Sequence, residues 1–216
     1  MTVTLRATKG SALTHAELDA NFTTLDGSAA TVDKVYVSDG AGGGSFKTAY
    51  TQGWEDYNDL ATTSTPIALT SAGTAYNLTN DGAGSFTNTT YRLPGYSAIW
   101  NVSTNAFDWS GAGLVVGDTV DIRFDVDIVN SGANGQFDFK LDMAIGSGAA
   151  YTLEMDDHGY KSAATHKEVV FFSVYMGDTD TLNYPAKPTM TSDSTGDTVI
   201  VNGWYCRVIP RNPVYS

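Results

Sequence analysis

Cysteine is nearly absent from this chain. The single Cys206 cannot form an intrachain disulfide, and its place in an aromatic-rich apolar run predicts a buried small hydrophobe. A chain of 216 residues can bury on the order of 70% of its unfolded surface, so no covalent staple is needed. Positive charge is scarce too: 12 Lys and Arg stand against 24 Asp and Glu, a net charge of -12, with no basic stripe. That argues against a nucleic-acid partner. Long apolar runs are missing, so no window spans a bilayer, and the first ten residues lack the apolar core of a secretory leader. The expectation is a protein made in a cytoplasm without a signal and without membrane insertion. Among the acids, glutamate is rare. Aspartate favours turns and caps over helix interiors, which leans away from a helical protein.

What is present begins with one helix. In residues 10–27, Thr14 is a suitable N-cap and Glu17 follows three residues later, the capping-box pattern. Leu18, Phe22 and Leu25 recur on one face, and Gly27 is placed to end the helix. A helix of about three turns is marginal alone in water, so its apolar stripe predicts packing against its own copies or another protein. Residues 28–49 are a connector of low hydrophobicity. Val35 and Val37 alternate briefly, and Asp39, Gly40, Gly42, Gly43 and Gly44 follow. Consecutive glycines permit close chain approach, and the flanking Tyr36, Val37 and Phe46 predict that the segment is ordered.

From residue 50 the pattern has period two, with no helix expected. In residues 119–128, Val120, Ile122, Phe124, Val126 and Ile128 alternate with Asp121, Arg123, Asp125 and Asp127. In residues 136–145, Phe137, Phe139, Leu141, Met143 and Ile145 alternate with polar residues. The turn-rich NSGANG between them predicts a hairpin. Charge predicts its register, with Asp125 opposite Lys140, Arg123 opposite Asp142, and Ile128 opposite Phe137 on the core face. Further strands are expected near residues 67–71, 75–79, 98–103, 151–155, 168–175 and 199–209. The run EVVFFSVY at 168–175 is apolar on both faces, which predicts either a central strand covered on both sides or a strand at a subunit interface. Short strands at this spacing predict an all-β fold, an antiparallel jelly-roll-like β-sandwich head preceded by the short helix and the Gly-rich collar.

Gly10, Ser11, Leu13, Thr14, Glu17, Leu18, Asp19, Asn21, Phe22 and Leu25 together resemble a motif at the start of many bacteriophage tail-fibre and other virion proteins, roughly G-S-P-L-T-x-x-E-L-D-x-N-F-x-x-L. The chain departs from it at Ala12, where proline is usual. Residues 37–46 look like the glycine-rich collar that precedes the head in such fibres. The resemblance covers residues 10–46 and implies an elongated homotrimer, bound to the particle by its N-terminal part, with a β-rich head outward. Leu13, Thr14, Glu17, Leu18, Asn21, Phe22 and Leu25 would then be virion-docking residues. Asp39, Gly40, Gly42, Gly43, Gly44 and Phe46 would form the collar.

Chemistry is harder to place. His15, His158 and His166 have no G-x-S-x-G elbow to serve, and nothing local pairs Cys206 with a base. Asp125 and Asp127 share a strand face, and Asp156 and Asp157 adjoin His158, but solvated strand faces and turns account for them better than a glycosidase cleft. Neither Glu154–His158 nor Ser38–Gly40 has the spacing of a calcium loop or a zinc site. No metal and no cofactor are therefore expected. Most aromatic residues are expected in the core or between subunits, with Tyr160 and Tyr184, in loop-like sequence, as candidates for contact with a glycan. The expected function is a non-enzymatic, homotrimeric virion protein, a fibre or capsid decoration. Residues 1–27 would dock it, 28–49 form the collar and 50–216 the head, with other virion proteins and a host-surface glycan as partners. The alternatives are a monomeric carbohydrate-binding module and a glycan-depolymerising spike.

Overall fold

The computed structural model describes residues 34–41 and 43–216. The expected helix over 10–27, with Leu13, Thr14, Glu17, Leu18, Asn21, Phe22 and Leu25, lies outside the described residues, as does Gly42. Two units are present. One holds the described residues up to Tyr50 together with Pro213–Ser216, and the other is Thr51–Asn212.

In the first unit, β1 (Lys34–Ser38) pairs antiparallel with β2 (Gly44–Tyr50), and β14 (Val214–Tyr215) adds to the other side of β2. The glycine-rich stretch is thus the turn of a hairpin. Asp39 Oδ1 accepts from the N–H groups of Ala41 and Gly43 at 2.8 and 2.9 Å. Those two bonds hold its carboxyl below the usual value. Gly40 sits at a φ of +76°, and a Cβ at Gly44 would collide with the Val37 carbonyl and the Tyr36 ring. Tyr36 and Phe46 pack edge to face at 5.5 Å.

The second unit is an antiparallel, jelly-roll-like β-sandwich. Its strands are β3 (Gly53–Asn58), β4 (Ile67–Leu69), β5 (Tyr76–Asn77), the two-residue pair β6 (Trp100–Asn101) and β7 (Ala106–Phe107), β8 (Thr119–Asn130), β9 (Gly135–Met143), β10 (Tyr151–Tyr160), β11 (Ala164–Tyr175), β12 (Lys187–Ser192) and β13 (Asp197–Ile209). One sheet has the order β10-β9-β12-β5. The other runs β11-β8-β13-β3, with β4 beside β13. Contrary to expectation, single-turn helices occur at α1 (Ala61–Ser64), α2 (Trp109–Ala112) and α3 (Thr179–Asn183). The last two begin on Asp108 and Asp178, whose side chains accept from Gly111 and Thr181.

The two clearest strands do not form the expected hairpin. β8 pairs with β11 and β13, while β9 pairs with β10 and β12, so the 131–134 connection carries the chain from one sheet to the other. Asp125 does not face Lys140. The charges that suggested that register are met close by: Arg123 binds Asp125 on its own strand, and Lys140 lies 3.4 Å from Asp138 and 3.5 Å from Glu154. Side by side, two half-apolar strands would still need a cover for their common face. Set in opposite sheets they cover each other, and the rings of Phe124 and Phe139 meet edge to face at 5.0 Å. Around them Trp100, Phe107, Trp109 and Trp204 complete a buried aromatic core. Each such side chain contributes on the order of 2–3 kcal/mol by burial. Cys206 is fully buried beside them, as its context predicts.

β11 is an edge strand, whose only sheet partner among the described residues is β8, so its double apolar character does not mark a central position. Its inward residues Val170 and Val174 are buried. Outward, Val169, Phe171 and Tyr175 are 55%, 72% and 61% exposed.

Candidate functional site

The outward faces of β11, β8, β13 and β3 form the most distinctive surface of the sandwich. Register places Ser173, Asp121, Arg207 and Trp54 in one row across the four strands. Phe171, Arg123, Tyr205 and Asp56 make the next. Between β11, β8 and β13 the two rows enclose an open depression of about 400 Å³, lined by Phe171, Arg123, Tyr205, Asp121, Ser173 and Arg207 among others. That is within the range of small-ligand pockets, about 300–1,000 Å³.

The polar groups of the depression are held in pairs. Arg207 binds Asp121 Oδ2 through Nε, at 3.1 Å, and through Nη2, and Ser173 Oγ donates to Asp121 Oδ1 at 2.6 Å. The Ser173 bond, followed by Arg207, outweighs burial and lowers the Asp121 carboxyl below its usual value, so it is ionised at neutral pH. Arg123 reaches Asp125 Oδ2 through Nε and Nη2 at 2.9 and 2.8 Å. Its guanidinium carbon lies 5.7 Å from the centroid of the Tyr205 ring. Burial raises the neighbouring Asp56 carboxyl, against the pull of Arg123. Tyr205 in turn lies 5.8 Å from Trp54, which stacks on Tyr91 at 4.8 Å with 22° between the planes. The face therefore carries rings of Phe171, Tyr205, Trp54 and Tyr91 beside two neutralised carboxylate–guanidinium pairs. Such an arrangement offers ring faces and fixed hydrogen-bonding groups, and it keeps Asp121 in the state that has no proton to give.

The glycan candidates named from sequence fall elsewhere. Tyr160, at the end of β10, is only 9% exposed. Its ring stacks on His166 at 3.8 Å and lies 5.9 Å from His158. Its hydroxyl donates to Glu168 Oε1 at 2.6 Å, and burial together with Glu168 pushes the phenol's pKa up. His158 contacts Asp156 at 2.9 Å and Glu168 at 3.5 Å. This cluster joins edge strands β10 and β11 and closes one open side of the sandwich, which leaves Tyr160 little surface for a ligand. Tyr184 follows α3 beside Gly146 and is exposed, but away from the depression. Among the described residues, no group of three or more His, Cys, Asp or Glu is placed to hold a metal ion. Asp125 and Asp127 do share the outer face, where Arg123 and Asn202 respectively engage them.

The depression was missed because its residues are split among three strands. Asp121, Arg123 and Asp125 read as an ordinary solvated face, and only the double apolar character of 168–175 hinted at an exposed function.

No family model matches the chain, and no curated protein matches it. Among solved structures, it is similar to the CBM22-1 xylan-binding domain of Paenibacillus barcinonensis Xyn10C. That likeness has a TM-score of 0.35 and 10% identity over 67% of this chain and 93% of that one. It is also similar to a chain of the T13 IBDV viral particle, with a TM-score of 0.33 and 9% identity over 83% of this chain and 64% of that one.

Proposed function

We propose that this chain is a structural and adhesive protein of a bacteriophage particle, a homotrimeric fibre or capsid decoration without catalytic activity. Residues 1–27 dock it to other virion proteins, the 28–49 collar gathers three copies, and the sandwich faces outward to meet the host surface. The observation that carries the reading is the outward row Val169, Phe171 and Tyr175, large apolar side chains left in water on an edge strand. Edge strands are ordinarily blunted by charge or cover, so a row of this kind marks a contact surface. The pattern over residues 10–46 supports the choice of particle, and a net charge of -12 suits a protein that must stay free of anionic surfaces until it docks.

The test is incorporation. Phe22→Asp should leave the sandwich folded, by far-UV dichroism and melting, yet abolish its presence in purified particles; normal incorporation refutes the anchor. Solution mass should give a trimer both for the full chain and for a variant lacking residues 1–27. A monomer from both would favour a second reading, a monomeric carbohydrate-binding module, to which the ring-lined depression also lends support.

A further inference from the structure

We propose that the depression between β11, β8 and β13 is a binding site for a neutral, hydroxyl-rich glycan. The inference rests on the reading of the sandwich as an outward recognition head, and it adds the ligand class and the residues.

Three features of the surface select that class. The first is ring placement. Phe171 on β11 and Tyr205 on β13 flank Arg123 in one row, about 10 Å apart at two strand spacings. Trp54 and Tyr91 extend the line of rings beyond Tyr205. Rings set at such intervals offer successive platforms to the C–H faces of a chain of sugars, which a single small ligand would not use. Phe171, at 72% exposure, needs no rearrangement to do so.

The second feature is unused hydrogen-bonding capacity. Asp121 and Asp125 hold the Nε and Nη2 atoms of Arg207 and Arg123, which leaves Nη1 of each guanidinium without a partner among the described residues. The Tyr205 hydroxyl is also unengaged there. An apolar protein surface laid over the depression would bury these groups unsatisfied, at about 1–3 kcal/mol each. A polyol satisfies donors and acceptors alike. This argues against a second copy of the chain as the occupant.

The third feature is charge. Each arginine is already neutralised by a carboxylate, Asp56 adds a further acid nearby, and the chain as a whole carries -12. Among the described residues that line the depression, a uronate, sialate or phosphate would find only arginines already paired with carboxylates, in a repulsive surrounding field. The pre-paired carboxylates and guanidinia instead hold their outer atoms in fixed positions for neutral hydroxyls.

The experiment uses the full-length protein on a panel of immobilised neutral oligosaccharides of gluco-, galacto-, manno- and xylo-configuration, beside uronate- and sialate-bearing ones. Hits are followed by titration calorimetry and tryptophan fluorescence. Neutral members should bind, and Phe171→Ala and Arg207→Ala should each weaken them about ten-fold or more with unchanged melting. Tyr184→Ala, away from the depression, should bind as the parent does. No binding anywhere on the panel, binding confined to the acidic members, or neutral binding untouched by both variants would each overturn the proposal. Incorporation into particles separates this outcome from the fate of the appendage reading. If Phe171→Ala prevents incorporation, the face is an assembly surface and the glycan site falls while the appendage stands. If Phe22→Asp incorporates normally, the appendage reading falls while glycan binding by the purified chain is unaffected.

Discussion

Asp197 offers the sharpest test of how the sandwich is closed at one end. It opens β13, is fully buried, and accepts at Oδ1 from the N–H and hydroxyl of Ser131, at 2.8 and 2.7 Å, and at Oδ2 from Ser192 Oγ. Ser131 begins the β8–β9 connection and Ser192 ends β12, so one carboxylate ties two crossings between the sheets. Burial pushes this carboxyl up, but the bonds from Ser192 and Ser131 outweigh it and leave it below its ordinary value. A depressed folded value means stability that is present above the unfolded value, near ~3.9, and lost as pH falls through the lower folded one. In Asp197→Asn, the amide oxygen can keep the Ser131 N–H, which cannot turn away. The amide NH₂ then faces Ser192 Oγ, which already accepts from Ser194 N and can accept from the amide only by turning its O–H away, so the Ser192 O–H loses its acceptor. The variant thus loses one hydrogen bond and the charge assistance of the others, about 2 kcal/mol at pH 7. With a urea slope of about 2 kcal/mol/M, the midpoint should drop by about 1 M. Measured again below about pH 4, the gap between parent and variant should narrow, because only the parent loses a charge. A deficit that stays constant from pH 7 into the acid range would refute the argument.

Other consequences can be checked with the same unfolding assay. Glu55 is 1% exposed and bound by Arg92 at 3.0 and 3.2 Å and by the Tyr57 hydroxyl. Arg92→Ala should therefore cost about 3 kcal/mol, at the low end for a broken buried pair because Arg92 itself is partly exposed; a loss under 1 kcal/mol would contradict it. A double-mutant cycle between Phe124 and Phe139 should yield a coupling of about 0.5–1.5 kcal/mol, while one between Asp125 and Lys140 should yield none. The reverse outcome would restore the hairpin that the structure replaces.

The sequence made the inward faces legible wherever they are uniformly apolar. β8 alternates without a break along its length, and its period alone set its core face. Legibility failed where a core position is not apolar or the phase slips. β3 places Gly53, Glu55 and Tyr57 inward, and a buried glutamate hides the period. β12 turns Thr189 and Ser192 into the interior and contains Pro188, so it reads as a turn. β10 continues past residue 155, the expected end, because a bulge between Glu154 and Asp156 moves the alternation by one residue. Single-turn helices such as α1 are too short for any periodicity to register.

Partner choice is a different kind of failure, and it governs the site. Period two says which side chains share a face but not which strand lies alongside or opposite, and complementary charges arise within a single strand as readily as between two. Arg123 and Asp125 stand two residues apart and satisfy each other, so their charges carried no information about β9. Once β8 is set between β11 and β13, Arg123 instead joins Asp121 in the floor of a ring-lined depression. Phe171 then changes meaning as well. In a central strand it would be core; on the edge strand beside a charged floor it stands exposed where a ligand would pass. The candidate site is a product of strand order, and strand order here was decided by the need of two half-apolar strands to cover each other across the sandwich.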